Sequence, residues 1–130
     1  MLVSNNAQSS PLVDWDLMVD DNDNAIVAFT DTRNGGNLNP FVYAISPSGS
    51  FLWGVNGIDL NPTADFQANP KLAKTDDGNI VVAWIIAATR YQVGLQKISL
   101  AGAKLWGTNP FNLQLKVTTI LMLLHLIAAE

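Results

Sequence analysis

Two continuous apolar runs, each preceded by a polar cluster, recur along the chain at a spacing of 55 residues. They occupy residues 25–30 and 80–86, and both are rich in β-branched side chains without a clean alternation of polar and apolar positions. Such runs are typical of strands that are buried on both faces. The polar clusters at 20–24 and 75–79 predict tight turns, so each run is expected to be the second strand of a hairpin.

One position of these turns differs between the copies, because Asp23 stands where the second copy has Gly78. Short polar residues and glycine both tolerate positive φ, which predicts a left-handed backbone at this position in each copy. A second pair of similar segments, at 46–54 and 99–107, lies 53 residues apart and predicts a further turn. In the first copy, strands are predicted at 14–19, 25–30 and 41–45. In the second copy, strands are predicted at the corresponding segments 80–86 and 94–98. A short fourth strand is expected to end at Trp53 in the first copy and at Trp106 in the second.

Four strands in 53 to 55 residues match the size of a β-propeller blade. The predicted fold is therefore all-β, with two blade-like, four-stranded antiparallel sheets packed face to face and a short apolar C-terminal segment. The expected divisions are a polar lead-in at 1–10 that could end a preceding blade, repeats at 11–65 and 66–115, and an apolar tail at 116–130. The tail's structure stays open, because its first residues favour a strand and its later ones a helix.

Composition and charge narrow the function classes. The chain of 130 residues has a net charge of −4 and only seven basic residues, which argues against binding to nucleic acid. Cysteine is absent, so disulfides and thiolate metal sites are excluded. Residues 1–6 lack the basic start and apolar core of a signal peptide. The tail is shorter than the roughly 20 residues of a membrane-spanning helix, so no membrane span is predicted.

A set of short motifs makes these repeats resemble those of large secreted bacterial proteins. The motifs are Asp77-Gly78-Asn79, the strand at 81–84 that ends in tryptophan, Asp31-Thr32-Arg33, Gln96-Lys97-Ile98, and glycine and tryptophan four residues apart at 102 and 106. The related repeats are thought to form β-propellers, and most have no assigned activity. The resemblance covers about residues 11–115, and it implies a secreted or cell-surface location.

The Gly-x-x-x-Trp element is also similar to the docking motif of quinoprotein-type propellers, in which the tryptophan packs between neighbouring blades. This similarity implies that Trp53 and Trp106 are structural wedges. The aspartate that usually precedes the glycine is missing in both copies, and no cofactor is predicted. A weaker similarity links the element to the Asp-box of sialidases, but here the glycine-to-tryptophan spacing is one residue longer and the aspartate is absent.

Five residues are candidates for binding: Asp31, Arg33, Arg90, Tyr91 and Trp15. The first two lie in the longest loop, and the next two lie at the corresponding place in the second copy. Trp15 is the tryptophan without a repeated position, and aromatic faces stack on sugars. A structural alternative is that Asp31 caps a turn while Arg33 pairs with a nearby carboxylate.

No catalytic or metal-ligating residue is predicted. The acidic cluster at 20–23 lacks the alternating ligands and central glycine of a calcium-binding loop, so a solvated hairpin turn is favoured. The single histidine, His125, lies between two leucines, and it is expected to be structural or exposed rather than a general base.

These observations favour a non-catalytic repeat module that serves as a scaffold or binds protein or glycan in a secreted or surface protein. Two alternatives stay open: a remnant of a glycan-cleaving propeller enzyme of sialidase type, and a truncated product without an independent function. Two blades cannot close a propeller, which usually takes about four to eight. The chain is therefore expected to join the remaining blades of a longer parent, or to self-associate, for instance as three copies in a six-bladed ring.

Overall fold

The computed structural model describes residues 1–6, 15–114 and 125–128, and it contains two four-stranded antiparallel sheets whose strands lie in chain order. The first sheet comprises β1 (Trp15–Val19), β2 (Ala25–Asp31), β3 (Asn39–Ile45) and β4 (Ile58–Asp59). The second comprises β5 (Phe66–Lys74), β6 (Ile80–Ala87), β7 (Tyr91–Ile98) and β8 (Phe111–Gln114). The prediction of an all-β chain with two four-stranded antiparallel sheets is confirmed.

The first hairpin of each sheet is closed by the same turn. The N–H of Asp20 donates to the carbonyl four residues further on at 3.0 Å, and the N–H of Thr75 does the same at 2.9 Å. The backbone is left-handed at the predicted position in both copies, with φ of 60° at Asp23 and 82° at Gly78. The spacing of 55 residues therefore holds for the hydrogen bonds as well as for the sequence.

The second turn of each sheet repeats at a spacing of 53 residues. The N–H groups of Ser46 and Ser99 each donate to the carbonyl four residues further on at 2.9 Å. Gly49 and Gly102 occupy the same left-handed position, with φ of 88° and 87°. The two sheets are thus copies of one unit at both of these turns.

The fourth strands were predicted in the wrong place. The segments that lead to Trp53 and Trp106 form one isolated β-bridge each, and the fourth strands β4 and β8 begin five residues after the tryptophans. The glycine that follows each tryptophan, Gly54 or Gly107, has a φ of 90°. This left-handed backbone turns the chain away from the sheet before a strand can continue.

The two sheets pack face to face through one shared hydrophobic core. Side chains alternate between the two sides of a strand, so each sheet has an inner face towards the other sheet and an outer face away from it. The inner faces meet in a cluster of side chains that are at most 2% exposed: Ile26, Ala28, Val42 and Ala44 from the first sheet, and Ile80, Val82, Trp84, Ile86 and Ile98 from the second. Leu60, just after β4, is fully buried in the same cluster.

The outer faces are also apolar. Strand pairing places Trp15, Leu17, Val27, Phe29, Phe41 and Tyr43 on the outer face of the first sheet. The rings of Phe29 and Tyr43 stack there at 5.6 Å, and Val3 of the N-terminal segment packs on them. The outer face of the second sheet carries Val81, Ala83, Ile85 and Leu95.

A buried amide fixes the large indole at the centre of the core. The Gln67 side-chain carbonyl accepts the indole N–H of Trp84 at 2.7 Å, and the Gln67 amide donates to the backbone carbonyl of Asn61 at 2.9 Å. Both groups are thereby satisfied without water, as buried polar groups generally are.

The predicted lead-in and tail are described only in part. Residues 125–128 are helical and exposed. The segments at 7–14, 115–124 and 129–130 lie outside the described residues, and so do the predicted boundaries at 10–11 and 115–116. Within the described part of the chain, no helix has the length and apolar character needed to cross a membrane.

Candidate functional site

Asp31 and Arg33 form a charged pair at the end of β2. Arg33 Nη2 lies 2.6 Å from Asp31 Oδ2, and Arg33 Nε lies 3.0 Å from Asp31 Oδ1, so the pairing is bidentate. Asp31 also accepts the backbone N–H of Arg33 at 3.1 Å and the hydroxyl of Ser4 at 2.7 Å. Asp31 therefore caps its turn and pairs with Arg33, as the structural alternative for this pair described.

The rest of the Arg33 guanidinium is held by the first sheet. Its Nη1 donates to the Tyr43 hydroxyl at 3.0 Å and to the backbone carbonyl of Asn56 at 2.9 Å. The guanidinium carbon lies 3.9 Å from the ring centroid of Phe41, which is a favourable cation–π contact. Arg33 thus ties the loop after β2 to β3 and to the segment before β4.

The charges of this pair stabilise each other. Burial raises the pKa of Asp31, but the hydrogen bonds from Arg33 and Ser4 and the positive charge of Arg33 outweigh burial and hold that pKa below its ordinary value of 3.8. Burial lowers the pKa of Arg33, but its hydrogen bonds to Asp31 and Tyr43 outweigh that effect and raise the pKa. Both groups are therefore ionised around neutral pH.

A polar cleft of about 310 Å³ lies beside this pair. Its walls are residues 2–6 of the N-terminal segment together with Arg33, Tyr43, Val55 and Asn56. Four of the five Arg33 guanidinium N–H groups donate to protein acceptors, and the other polar residues of the cleft wall are uncharged. Such a lining suits hydrogen bonding to a neutral polar group better than pairing with a charged one.

The other candidate residues lie elsewhere. Arg90 and Tyr91 are exposed at the hairpin between β6 and β7, and Tyr91 pairs with Ala87 on the outer face of the second sheet. Trp15 lies on the edge strand β1, opposite Phe29 on the outer face of the first sheet. The five candidates are therefore divided between the two outer sides of the stacked sheets, and the structure does not gather them into one site.

The acidic cluster at 20–23 forms the hairpin turn that the sequence favoured. One carboxylate oxygen of Asp20 accepts the backbone N–H groups of Asn22 and Asn24 at 2.8 and 2.9 Å. Across residues 1–6, 15–114 and 125–128, no three His, Cys, Asp or Glu side chains are grouped to hold a metal ion. His125 is exposed on the helical segment at 125–128.

Trp53 joins the two sheets by reaching from the first into a turn of the second. Its indole N–H donates to the backbone carbonyl of Leu100 at 3.0 Å. Its ring lies so close to Gly102 that a Cβ there would stand 2.6 Å from Trp53 Cδ1. Glycine is therefore required at this position by the close approach of the indole as well as by its positive φ. Trp53 is therefore a wedge between the two sheets.

Trp106 occupies the same position in the second copy but faces outwards. Its backbone N–H donates to Gln96 Oε1 at 3.2 Å, and Gln96 Nε2 donates to the carbonyl of Gly107 at 3.0 Å. The indole lines an apolar cavity of about 370 Å³ with Leu95, Phe111 and Leu113, which we call the outer cavity. Trp106 is 44% exposed and Phe111 is 62% exposed.

Sequence reasoning missed Phe111 and Leu113 of the outer cavity, because it ended the fourth strands at the tryptophans, and it placed Leu95 in a strand without assigning it to a cavity. The spacing of 53 residues was the signal that could have found them. It relates Leu95, Phe111 and Leu113 to Val42, Ile58 and Leu60 of the first copy.

These surfaces are not explained by likeness to known proteins. No protein-family model matches the chain, and neither a curated protein nor a solved structure matches it at a significant level.

Proposed function

We propose that this chain is a non-catalytic, propeller-type repeat module that serves as a scaffold or binding unit of a secreted or surface protein. The observation that carries the proposal is the contact of Trp53 with Leu100 and Gly102, which stacks one copy of the unit on the next. A unit that buries its inner face only against another copy of itself has the character of a repeat architecture.

The chemistry of the charged groups supports a structural role. The carboxylate of Asp31 is fully buried, and its acceptors are taken by Arg33 and Ser4. In the proposed module this pair holds loops in place, and recognition falls to the loops that differ between the copies, at 32–38 and 88–90. Arg90 in the second of these and Tyr91 at the start of β7 are exposed and available to a protein or glycan partner.

Two measurements test the proposal: the location of the protein in or outside the source cells, and its ability to cleave glycosides. Antibodies raised against the purified chain are expected to label intact source cells or to detect the protein in the culture fluid. The purified chain is expected to leave fluorogenic glycosides, sialosides included, uncleaved. A signal that appears only after cell lysis would contradict the secreted or surface location. Glycoside turnover by the purified chain would instead support the sialidase-type alternative.

A further inference from the structure

The outer cavity of the second sheet is an unfilled copy of the contact between the two sheets. Its four lining residues, Leu95, Trp106, Phe111 and Leu113, each lie 53 residues after one residue of the first copy. Those four counterparts are Val42, Trp53, Ile58 and Leu60. Val42 and Leu60 are fully buried in the shared core, and Trp53 and Ile58 pack against it. The same four positions therefore make an interface in the first copy and line an open cavity in the second.

The outer face of the first sheet carries the counterpart of the surface that receives the wedge, and this counterpart is open along β1 and at the turn of Gly49, whereas Phe29 and Tyr43 further along the same face are at most 5% exposed. Gly49 occupies the same turn position as Gly102, and apart from its two chain neighbours no described residue lies within 4 Å of the place where its Cβ would stand. Leu17 is the counterpart of Leu72, which packs against the shared core, yet Leu17 is 55% exposed. We call Trp106 the free wedge, and we call the surface around Gly49 and Leu17 the seat. The free wedge lies on one outer side of the molecule, and the seat, with no tryptophan packed on it, lies on the other.

We infer that the outer cavity binds the outer face of the first sheet of a second copy of this chain. In this head-to-tail contact, the Trp106 indole lies over Gly49 of the second copy, and its N–H donates to the carbonyl of Pro47, the counterpart of Leu100. The inference rests on the proposed function and names the partner of the module. Because the two surfaces differ, the contact is heterologous and repeats from copy to copy until a ring closes.

The contact is expected to be weaker than the one within the chain. The ring cluster beside the seat is at most 5% exposed, because Val3 and Phe51 pack on it and the Arg33 guanidinium lies over Phe41. An incoming copy can therefore contact only the open part of this face, and it also gives up the translational freedom that the covalent link removes within one chain. Association is therefore expected to be reversible and to rise with protein concentration. Exposed apolar surface around an aromatic anchor is typical of such interfaces.

Sedimentation velocity of the full chain at rising concentration tests the inference. The wild type is expected to associate reversibly beyond the dimer. Trp106→Ala removes the wedge, and Gly49→Asn fills the seat while keeping a residue type that tolerates positive φ. Each change is expected to lower the association constant at least about tenfold. Leu17→Glu, at an exposed position of the edge strand, is a second seat variant that places no demand on the turn. Circular dichroism checks that each variant stays folded.

Mixing the variants makes the test specific for a head-to-tail contact. In an equimolar mixture, Trp106→Ala keeps an intact seat and Gly49→Asn keeps an intact wedge. The mixture is therefore expected to form one-to-one dimers, which cannot grow further because each dimer has only an altered wedge and an altered seat left. A wild type that stays monomeric would overturn the inference and leave the apolar tail, or blades of a longer parent, as the occupant of the cavity. Association that Trp106→Ala leaves unchanged, or a mixture that forms no dimer, would also overturn it. These association results are independent of the protein's location and of glycoside cleavage, which test the proposed function.

Discussion

At the scale of single residues, the two copies fill one packing position in different ways. In the second sheet Trp84 pairs with Gly94 across β6 and β7, whereas in the first sheet Phe29 pairs with Phe41. The tryptophan lies between the sheets, where a Cβ on Gly94 would stand 2.5 Å from Trp84 Cε2. The phenylalanine pair lies on an outer face, where the second ring has room beneath Arg33. The residue paired with the first aromatic ring is therefore glycine where the pair lies between the sheets and phenylalanine where the pair lies on an outer face.

Gly94→Ala is expected to lower the free energy of unfolding by about 1–3 kcal/mol, because the added methyl group overpacks the core against the indole. Trp84→Phe is expected to be destabilising alone but to relieve this clash, so the double variant should lose less than the sum of the single losses. Urea denaturation of the four proteins in this cycle measures the coupling. Strictly additive losses would show that the indole and residue 94 do not compete for space.

The Asp31–Arg33 pair is expected to make stability depend on pH. The pKa of Asp31 is lowered in the folded chain, so its contribution is complete above the ordinary value of 3.8 and is lost as the pH falls through the folded pKa. At neutral pH, Asp31→Asn is expected to cost about 2 kcal/mol of unfolding free energy, because a hydrogen-bonded buried charge is removed. The difference from wild type should shrink towards strongly acidic pH in denaturation curves.

Asp21→Asn is the matched control, because Asp21 pairs with Lys74 on the exposed surface. Exposed ion pairs contribute little, so this change is expected to alter stability much less than Asp31→Asn does at neutral pH. Equal losses for the two variants, or a loss at Asp31 that does not vary with pH, would contradict the account of the buried pair.

The sequence predicted part of this residue-scale picture. The pairing of Arg33 with a carboxylate and the capping of a turn by Asp31 are local, because the two residues are two positions apart. The contacts of the pair with Ser4, Tyr43 and Asn56 are not local, since they depend on how the N-terminal segment and later loops fold back. No pattern along the chain indicates such distances.

At the scale of elements, the hairpin turn before β6 shows how a repeat constrains substitution. Gly78 has a φ of 82°, and its counterpart Asp23 adopts a φ of 60°. Gly78→Asn is therefore expected to cost less than about 1 kcal/mol, because asparagine also tolerates this conformation and adds no charge beside the Asp21 carboxylate, which lies 3.5 Å from the position of the new Cβ. Gly78→Val is expected to cost about 2 kcal/mol, because a β-branched residue does not tolerate this conformation. Thermal unfolding compares the two, and equal losses would argue against a left-handed backbone at residue 78.

Strands with strong apolar runs could be predicted, and those defined by pairing alone could not. The runs at β2 and β6 are long and β-branched, and their turns carry glycine or short polar residues, so their positions followed from the sequence. The strand β4 is only two residues long, and β8 lies beyond a left-handed glycine. Their hydrogen bonds to β3 and β7 identify them, and the tryptophans before them were mistaken for their ends.

At the scale of the whole molecule, the two sheets are expected to behave as one cooperative unit. The shared core contains buried side chains from both inner faces, and Leu60 and Trp53 connect the end of the first copy to the second. The repeat in the sequence predicted two similar sheets packed face to face. It did not indicate that the first copy supplies the wedge and the second copy receives it, because this depends on which face of each sheet packs against the other sheet.

The central claim, that Trp53 couples two copies of one unit, is tested most directly by amide hydrogen exchange in Trp53→Ala, with Trp106→Ala as control. Truncating this half-buried wedge is expected to lower the opening free energy of amides in β2, β3, β6 and β7 by about 2 kcal/mol in each strand, because both sheets depend on the contact. Trp106→Ala should leave these amides nearly unchanged in the monomer. Protection lost in one sheet alone, or in neither, would contradict the account.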